Sequence, residues 1–185
     1  MAKKVRIADA ESGIRAIDKK DLEIVLEILN ITNKAFYQAI VPADTFREPY
    51  LTTEGLAEES ERKAFTVYEL RGKIVGVAAF AARCFEIGVV DRVYVLSGFQ
   101  RRGIGGALLA HIERCDGGQG GREIVLWTDP RAAWAIAFYR RLGYSEIEVG
   151  AIYNDAMIRE RVKQHGRELV VLRKRLSPDR MTDRL

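Results

Sequence analysis

The sequence is poor in residues that build covalent or metal-linked scaffolds. Its 185 residues include only two cysteines, two histidines and four prolines. Neither the cysteines nor the histidines have the spacing of a metal-ligand motif, so we expect no structural zinc site. A chain of this length can bury a hydrophobic core without disulfides or metal. We therefore predict a single domain, and we expect no disulfide between Cys84 and Cys115.

Long hydrophobic runs are also missing. No stretch approaches the roughly 18 uninterrupted apolar residues of a membrane span. The opening Met1-Ala2-Lys3-Lys4 is not followed by an apolar run of signal-peptide length. We therefore expect a cytoplasmic protein with no membrane partner. Hydrophobic residues make up 48% of the chain, which is typical of a globular protein.

The positive charge is concentrated toward the C-terminus. The net charge is +4, and residues 159–185 contribute nine basic and four acidic side chains, so the preceding chain carries −1. We predict one domain over residues 1–176 and a basic tail, 177–185, that frays. Such a tail could bind nucleic acid. We interpret it instead as a solvated strand edge and terminus, and nucleic acid is not an expected partner.

Hydrophobic spacing and turn residues predict the element order β-α-α-β-β-β-α-β-α-β-β, an α/β (α+β) domain with a mixed sheet. The predicted strands are 14–17, 65–70, 74–80, 85–96, 123–127, 144–152 and 168–176, and the predicted helices are 19–40, 53–62, 104–115 and 132–142. Asp18 has the position of a helix N-cap, with Asp21 placed to stabilise the first turn.

A glycine-rich loop follows the fourth predicted strand and opens a helix. Its sequence is Gln100-Arg101-Arg102-Gly103-Ile104-Gly105-Gly106. The first N–H groups of a helix lack intrahelical acceptors, and together with the helix dipole they bind phosphate. The loop has no Gly-Lys-Ser/Thr of a Walker A motif, and the dinucleotide fingerprint would need glycine where Leu108 stands. A tight structural turn is the alternative that the glycines alone leave open.

The pattern Gln100-x-x-Gly103-x-Gly105 is similar to the Q/R-x-x-G-x-G/A motif of the GNAT acetyltransferase superfamily. Arg92-Val93-Tyr94-Val95 resembles the family's strand before the loop, residues 134–144 resemble its later helix and turn, and residues 14–22 resemble its opening. The resemblance covers roughly residues 13–150. It implies a mixed, mostly antiparallel sheet with splayed central strands, flanked by helices.

The resemblance also implies acetyl-CoA as co-substrate, without a metal. The pantetheine arm would enter between the fourth and fifth strands and pair with the backbone of Val93, Tyr94 and Val95. The pyrophosphate would be bound by the loop, to which the resemblance assigns Gln100, Arg101, Arg102, Gly103, Ile104, Gly105 and Gly106. The sequence departs from the family at Ala132, where many relatives carry Asn, and at Ser97-Gly98, where a proline is common.

Acetyl transfer to an amine needs a deprotonated amine, a donor for the oxyanion and an acid for the departing thiolate. Tyr139 matches the family position of the general acid; a core tyrosine under the coenzyme is the alternative. Asp91 and Glu86, on or near the fourth strand, are the candidate bases, and Asp91 is preferred. A salt-bridged structural acid, or no dedicated base, remains open. A backbone N–H near Val95 is the expected oxyanion donor.

The acceptor is expected to be a primary amine of a small molecule, a peptide or a protein. In the family, acceptors enter over the first two helices and the final hairpin, which carry the aromatic residues Phe36, Tyr37, Phe46 and Tyr50 and the acids Glu48, Glu54, Glu58, Glu59 and Glu61. Core aromatics and a solvated acidic helix face are the alternatives. The segment 151–167 is interpreted as a lid or oligomer contact, so a homodimer stays open. The rival function is an acetyl-CoA sensor without strong catalysis; a ping-pong route through Cys84 or Cys115 is not expected.

Overall fold

The computed structural model describes residues 12–84, 86–148 and 169–176, and for residues 82–84 the backbone only. The predicted segment 151–167, the end of the predicted strand 144–152 and the predicted tail 177–185 lie outside these residues. None of the described helices combines the length and the apolar character needed to span a membrane.

The described elements follow the predicted order. The strands are β1 Ser12–Ala16, β2 Lys63–Leu70, β3 Lys73–Cys84, β4 Ile87–Val95, β5 Glu123–Thr128, β6 Ser145–Ile147 and β7 Val170–Arg175; the helices are α1 Leu22–Tyr37, α2 Thr53–Arg62, α3 Ile104–Gly118 and α4 Ala133–Arg141. Several boundaries differ from prediction, including β3, which extends to Cys84 rather than residue 80, and the ends of two helices. The predicted helix 19–40 ends at Tyr37, and α3 continues past Cys115 to Gly118. A glycine weakens a helix by only about 1 kcal/mol, and Asp116 is buried within this turn, so packing prevails.

The predicted cap before α1 is confirmed. The Asp18 side chain accepts a hydrogen bond from the Lys20 amide at 3.0 Å, and Asp21 Oδ2 accepts one from the Asp18 amide at 2.9 Å. The first turn, Lys19–Asp21, is a 3-10 helix and α1 follows it. Asp21 also pairs with the Arg15 guanidinium, whose hydrogen bond lowers the pKa of this carboxyl to about 2. The cap therefore fixes β1 to the start of α1.

The seven described strands form one sheet in the order β1-β2-β3-β4-β5-β7-β6. All neighbours are antiparallel except β4 and β5, which pair in parallel. This parallel pairing joins residues 87–90 to residues 123–126 and stops there, although β4 continues to Val95. The two central strands therefore separate, which confirms the predicted splayed, mostly antiparallel sheet.

The sheet is covered on both faces, as a layered α/β domain requires. One cluster joins Val25, Ile28 and Leu29 of α1 with Leu56 of α2 and with β2 and β3. A second cluster joins α3 and α4 with the sheet, and its members include Leu108, Leu109, Ile112, Ile124, Leu126 and Tyr139. The splayed ends of β4 and β5 lie between these two layers, so a ligand that entered the gap would reach both.

Candidate active site

The glycine loop owes its shape to two residues in the left-handed region of backbone conformation. Arg101 has φ +60° and Gly103 has φ +88°. Gly103 is the N-cap of α3, and its carbonyl accepts the Ala107 amide at 2.9 Å. The amides of Ile104, Gly105 and Gly106 therefore precede the first intrahelical bond and point out of the helix end. Such a run of amides at a helix N-terminus favours an anion.

The loop glycines have different structural tasks. A Cβ on Gly103 would have no heavy atom within 4 Å, so this residue is needed for its dihedral angle. A Cβ on Gly105 would lie 3.1 Å from Phe138 Cζ, so this residue lets α3 approach α4 closely. The sequence predicted only a phosphate-binding role for Gly105. It did not predict the packing against Phe138, because this partner lies 33 positions further along the chain.

Two polar side chains of the loop are turned back onto the protein. Gln100 Nε2 donates to the carbonyl oxygen of Val95 at 2.9 Å, which ties the loop to the end of β4. Arg102 Nη2 donates to the carbonyl oxygen of Gly98 at 3.0 Å, and its guanidinium carbon lies 5.4 Å from the centre of the Phe99 ring. The Gln100 side chain therefore positions the loop rather than reaching outward.

Tyr139 lies in α4 and reaches the cluster beneath the splayed strands. Its ring centre is 5.1 Å from that of Phe138 and 6.1 Å from that of Tyr144. Burial raises the pKa of the Tyr139 phenol above its ordinary value, and the nearby Tyr37 adds to the increase. The hydroxyl therefore keeps its proton throughout the neutral range, as a hydrogen-bond donor must.

A polar cluster supports the Tyr139 ring from behind. The Tyr144 hydroxyl donates to Glu113 Oε1 at 2.8 Å, and Lys174 Nζ donates to Glu113 Oε2 at 2.7 Å. Glu113 belongs to α3 and Lys174 to β7, so this Glu113 cluster joins a helix and a strand around Tyr144. The Tyr144 ring, which packs against Tyr139, is thereby fixed in orientation.

Asp91 stands at a bulge of β4. Ala79 of β3 pairs with Arg92 and Phe80 pairs with Val90, which leaves Asp91 without an opposite residue in the ladder. Its carboxylate accepts from Lys63 Nζ and, at 2.6 Å, from Arg92 Nη1. Glu59 bonds the same two cations. This ion quartet of two acids and two bases is mostly buried, and it matches the alternative of a salt-bridged structural acid.

Glu86 lies far from the splayed ends. It is exposed in the turn before β4, and its carboxylate pairs with Arg122 Nε at 2.9 Å. The nine residues of β4 extend over roughly 27 Å, and the glycine loop follows the other end. The structure therefore does not bring Glu86 to Tyr139, and the position gives its predicted role as a base no support.

Residues 61–146, which include the loop, the splayed strands and Tyr139, match the model of an acetyltransferase (GNAT) domain. This chain carries a domain of the GNAT acetyltransferase superfamily. An uncharacterized N-acetyltransferase of Methanocaldococcus jannaschii is 30% identical over 142 residues, 74% of this chain. The chain spans 62% of the length of that relative.

Two solved acetyltransferase structures share the GNAT fold seen here. The PaiA N-acetyltransferase of Thermoplasma acidophilum, in complex with coenzyme A, has a TM-score of 0.69 at 17% identity, covering 89% of this chain and 98% of that one. N-acetylglutamate synthase of Neisseria gonorrhoeae, with coenzyme A and N-acetylglutamate, has a TM-score of 0.71 at 22% identity, covering 91% of this chain and 36% of that one.

On the α1 side of the splayed GNAT strands, aromatic rings form a continuous wall. Ring centres lie 6.2 Å apart for Tyr50 and Tyr94, 6.5 Å for Tyr37 and Tyr94, 6.0 Å for Tyr37 and Trp134, and 6.3 Å for Phe36 and Trp134. Trp134 is 45% exposed. The sequence analysis did not predict that Trp134 belongs to this wall. The signal that could have shown it is that Trp134 is an apolar residue outside the buried face of α4.

The predicted acidic cluster on the acceptor side is largely neutralised or solvated. Glu48 pairs with Lys34, Glu58 lies 3.9 Å from Arg62, and Glu59 belongs to the ion quartet. The two remaining acids of the set, Glu54 and Glu61, are exposed. Phe46 and Tyr50 line a cavity of about 170 Å³ beside α1, together with Asn30, Ile31, Asn33, Lys34, Arg47, Glu48 and Pro49.

The thiol that the structure describes is distant from the GNAT loop. Cys115 is exposed near the C-terminal end of α3, and its sulfur lies 3.6 Å from His111 Nε2. Partial burial and the neighbouring Arg114 lower the pKa of His111. Gly103 lies at the opposite end of the helix, about 18 Å away along its axis.

Proposed function

We propose that the protein is an acetyl-CoA-dependent N-acetyltransferase that transfers the acetyl group directly to a primary amine in a ternary complex. One observation carries this proposal: the amides at the start of α3, which precede its first intrahelical hydrogen bond, lie next to the end of β4, where β5 has already separated. An anion site and an unpaired strand edge thus adjoin each other, as a pyrophosphate joined to an amide-bearing arm requires.

The coenzyme would lie along this junction. The pyrophosphate would be held by the amides of the loop, chiefly Gly103, Ile104, Gly105 and Gly106. The pantetheine arm would pair with β4 at Val93, Tyr94 and Val95, past the last pair with β5. Gln100, bonded to the Val95 carbonyl, would keep loop and strand in register.

The reaction converts a primary amine and the thioester into an amide and free coenzyme A. The nitrogen lone pair forms the C–N bond, the C–S bond breaks, and sulfur leaves with the electron pair. The amine loses one proton and the sulfur gains one. Tyr139 is our candidate donor to the sulfur. Because burial raises its pKa, full proton loss is uphill, and the phenol would act by hydrogen bonding while charge develops.

The ion quartet argues for a different role of Asp91 than that of a base. A carboxylate bonded to Lys63 and Arg92 is stabilised as an anion, which makes it a weak proton acceptor. We propose that Asp91 holds the β4 bulge in place and that the acceptor enters as the neutral amine. About one tenth of an α-amine with a pKa near 8 is neutral at pH 7.

The decisive experiment compares two glycines by coenzyme titration. Gly103 and Gly72 both have positive φ, and a Cβ on either would meet no heavy atom within 4 Å. Alanine therefore strains both turns by a similar amount, about 1 kcal/mol. We expect Gly103→Ala to weaken coenzyme A binding about tenfold or more in calorimetry, while Gly72→Ala leaves it within twofold.

Thiol release with a panel of amines then tests transfer itself. The panel should contain small amines, polyamines, aminoglycosides and peptides with free N-termini. Transfer to one class supports the proposal. Tight coenzyme binding without transfer to any amine would favour the sensor, and no binding at all would refute both.

A further inference from the structure

Tyr37 differs from the rest of the α1 core. Val25, Ile28 and Leu29 of the same helix pack in the cluster with α2, β2 and β3. Tyr37, the last residue of α1, instead packs against the cluster that contains Tyr139. Its side chain therefore reaches toward the α4 side at the point where the sheet is open.

The Tyr37 side chain contacts both of the strands that separate. Its ring centre is 6.5 Å from that of Tyr94 in β4, and its hydroxyl oxygen is 3.4 Å from Thr128 Oγ1 at the end of β5. Trp134, in the first turn of α4, packs on the same ring at 6.0 Å. Tyr37 therefore stands at the mouth of the gap, on the side opposite the glycine-loop helix.

We propose that Tyr37 positions the acceptor amine: its phenol oxygen accepts one N–H of the incoming amine, and the exposed ring of Trp134 covers the apolar carbon next to that nitrogen. The inference rests on the proposed acetyl transfer and names the acceptor class for the same site. That class is a primary amine flanked by apolar carbon.

The chemistry of the attacking amine explains the need for such a group. A neutral primary amine has one lone pair, which must face the thioester carbon, and two N–H bonds that need acceptors when water is excluded. A phenol oxygen can accept a hydrogen bond while its own proton points elsewhere. Thr128 Oγ1 lies 3.4 Å from the Tyr37 oxygen, and either hydroxyl of this pair can be the donor. When the C–N bond forms, the nitrogen becomes positive, and the faces of Tyr37, Tyr94 and Trp134 would stabilise it.

The charges around the gap set the preference for an apolar flank. The Arg92 guanidinium is bonded to Glu59 and Asp91, and the Arg131 guanidinium is bonded to Asp129. Arg92, which lies against the Tyr50 ring, and Arg131 are therefore both already paired with acids. A carboxylate beside the acceptor nitrogen would lose water without gaining either of these two cations, which is unfavourable.

Steady-state kinetics with two matched amines tests the inference. The probes are phenethylamine and phenylalanine, which differ by the carboxylate beside the amino group. For the wild-type protein we expect kcat/KM at least tenfold higher for phenethylamine. For Tyr37→Phe we expect kcat/KM for phenethylamine to fall about 10- to 100-fold, as for a lost hydrogen bond to a developing charge, while KM for acetyl-CoA is unchanged.

Three further variants separate positioning from general structural damage. Tyr68→Phe removes the hydroxyl of a half-buried tyrosine in β2 and should stay within twofold of wild type. Thr128→Ser keeps the hydroxyl beside Tyr37 and should retain activity, whereas Thr128→Val should lose part of it. Trp134→Leu should raise KM for phenethylamine and leave KM for methylamine nearly unchanged.

The outcomes are distinct from those that test the proposed function. Transfer by the wild type with unchanged kinetics in Tyr37→Phe would overturn the role of Tyr37 and leave the transferase intact. Equal use of phenylalanine would overturn the acceptor class. A parallel loss of coenzyme binding in Tyr37→Phe would show a structural role only. A wild type that binds coenzyme A but acetylates no amine would overturn both proposals together.

Discussion

Two polar clusters flank the splayed strands, and they are built on opposite principles. The ion quartet on the α1 side joins four full charges, Lys63, Glu59, Asp91 and Arg92, that neutralise one another. The Glu113 cluster on the α3 side has one acid that serves a phenol and an ammonium group. The first holds both of its acids in ion pairs, and the second fixes a ring that supports Tyr139. Tyr139, our candidate proton donor, lies on the side with fewer charges.

The largest difference between the two sides is expected when one functional group is removed from each, the Tyr139 hydroxyl on the α3 side and the Asp91 carboxylate on the α1 side. Tyr139→Phe keeps the ring and removes the candidate donor, so we expect kcat to fall about 100-fold with coenzyme affinity unchanged. Asp91→Asn should lower kcat less than tenfold, because the quartet makes Asp91 a poor base. Thiol-release kinetics measure both variants with the best amine of the panel.

The dependence of kcat/KM on pH tests the roles of Tyr139 and Asp91 independently. Wild-type kcat/KM should rise with pH as the amine deprotonates. Since burial raises the pKa of Tyr139, we expect no decrease in kcat/KM at any pH up to 10. A larger loss in Asp91→Asn than in Tyr139→Phe would reverse the assignment of roles.

The next effect concerns the stability of the quartet. Lys63→Met leaves two acids facing one arginine in a mostly buried place, and we expect the free energy of unfolding to drop by about 2 kcal/mol in urea titrations. Arg62→Met is the matched control, because the adjacent Arg62–Glu58 pair is exposed and should change stability by less than about 0.5 kcal/mol. Equal effects of the two substitutions would mean that the quartet is no stronger than a surface pair.

The smallest expected effect comes from an ion pair of β1 and the α1 cap. The Arg15 hydrogen bond lowers the pKa of Asp21 to about 2, below the ordinary value near 3.9. A depressed carboxyl pKa stabilises the fold fully above pH 4 and progressively less as the pH falls toward 2. Thermal unfolding of Asp21→Asn and wild type should therefore differ more at pH 6 than at pH 2.5. A constant difference across that range would exclude the linkage.

Local features of the fold could be read from the sequence. The Asp18 cap, the hairpin at Gly72 and the helix after Gly103 each depend on residues within four positions of one another. The family resemblance added the splayed strands, which no local pattern encodes. These predictions agree with the structure because short-range geometry and motif order decide them.

The remaining features depend on contacts between distant positions. Asp91 is bonded by Lys63 across the intervening strand β3, and the sequence does not reveal that a bulge brings them together. The sequence placed Tyr37 on the acceptor side as an aromatic residue of the first helix. Its contacts with Thr128 and Trp134 appear only in three dimensions. Glu86 was the second candidate base after Asp91 because both lie on or near the same strand, whereas the length of that strand separates Glu86 from the glycine loop.

The short parallel seam between β4 and β5 has a mechanical consequence. Four residue pairs join the halves of the described sheet along the main chain. These pairs keep the two halves of the sheet aligned, while the edge of β4 beyond Val90, which does not pair with β5, can accept an extended ligand. A substrate arm that lay along that margin would act as a temporary eighth strand, so resistance to heat and occupancy by the coenzyme should rise together.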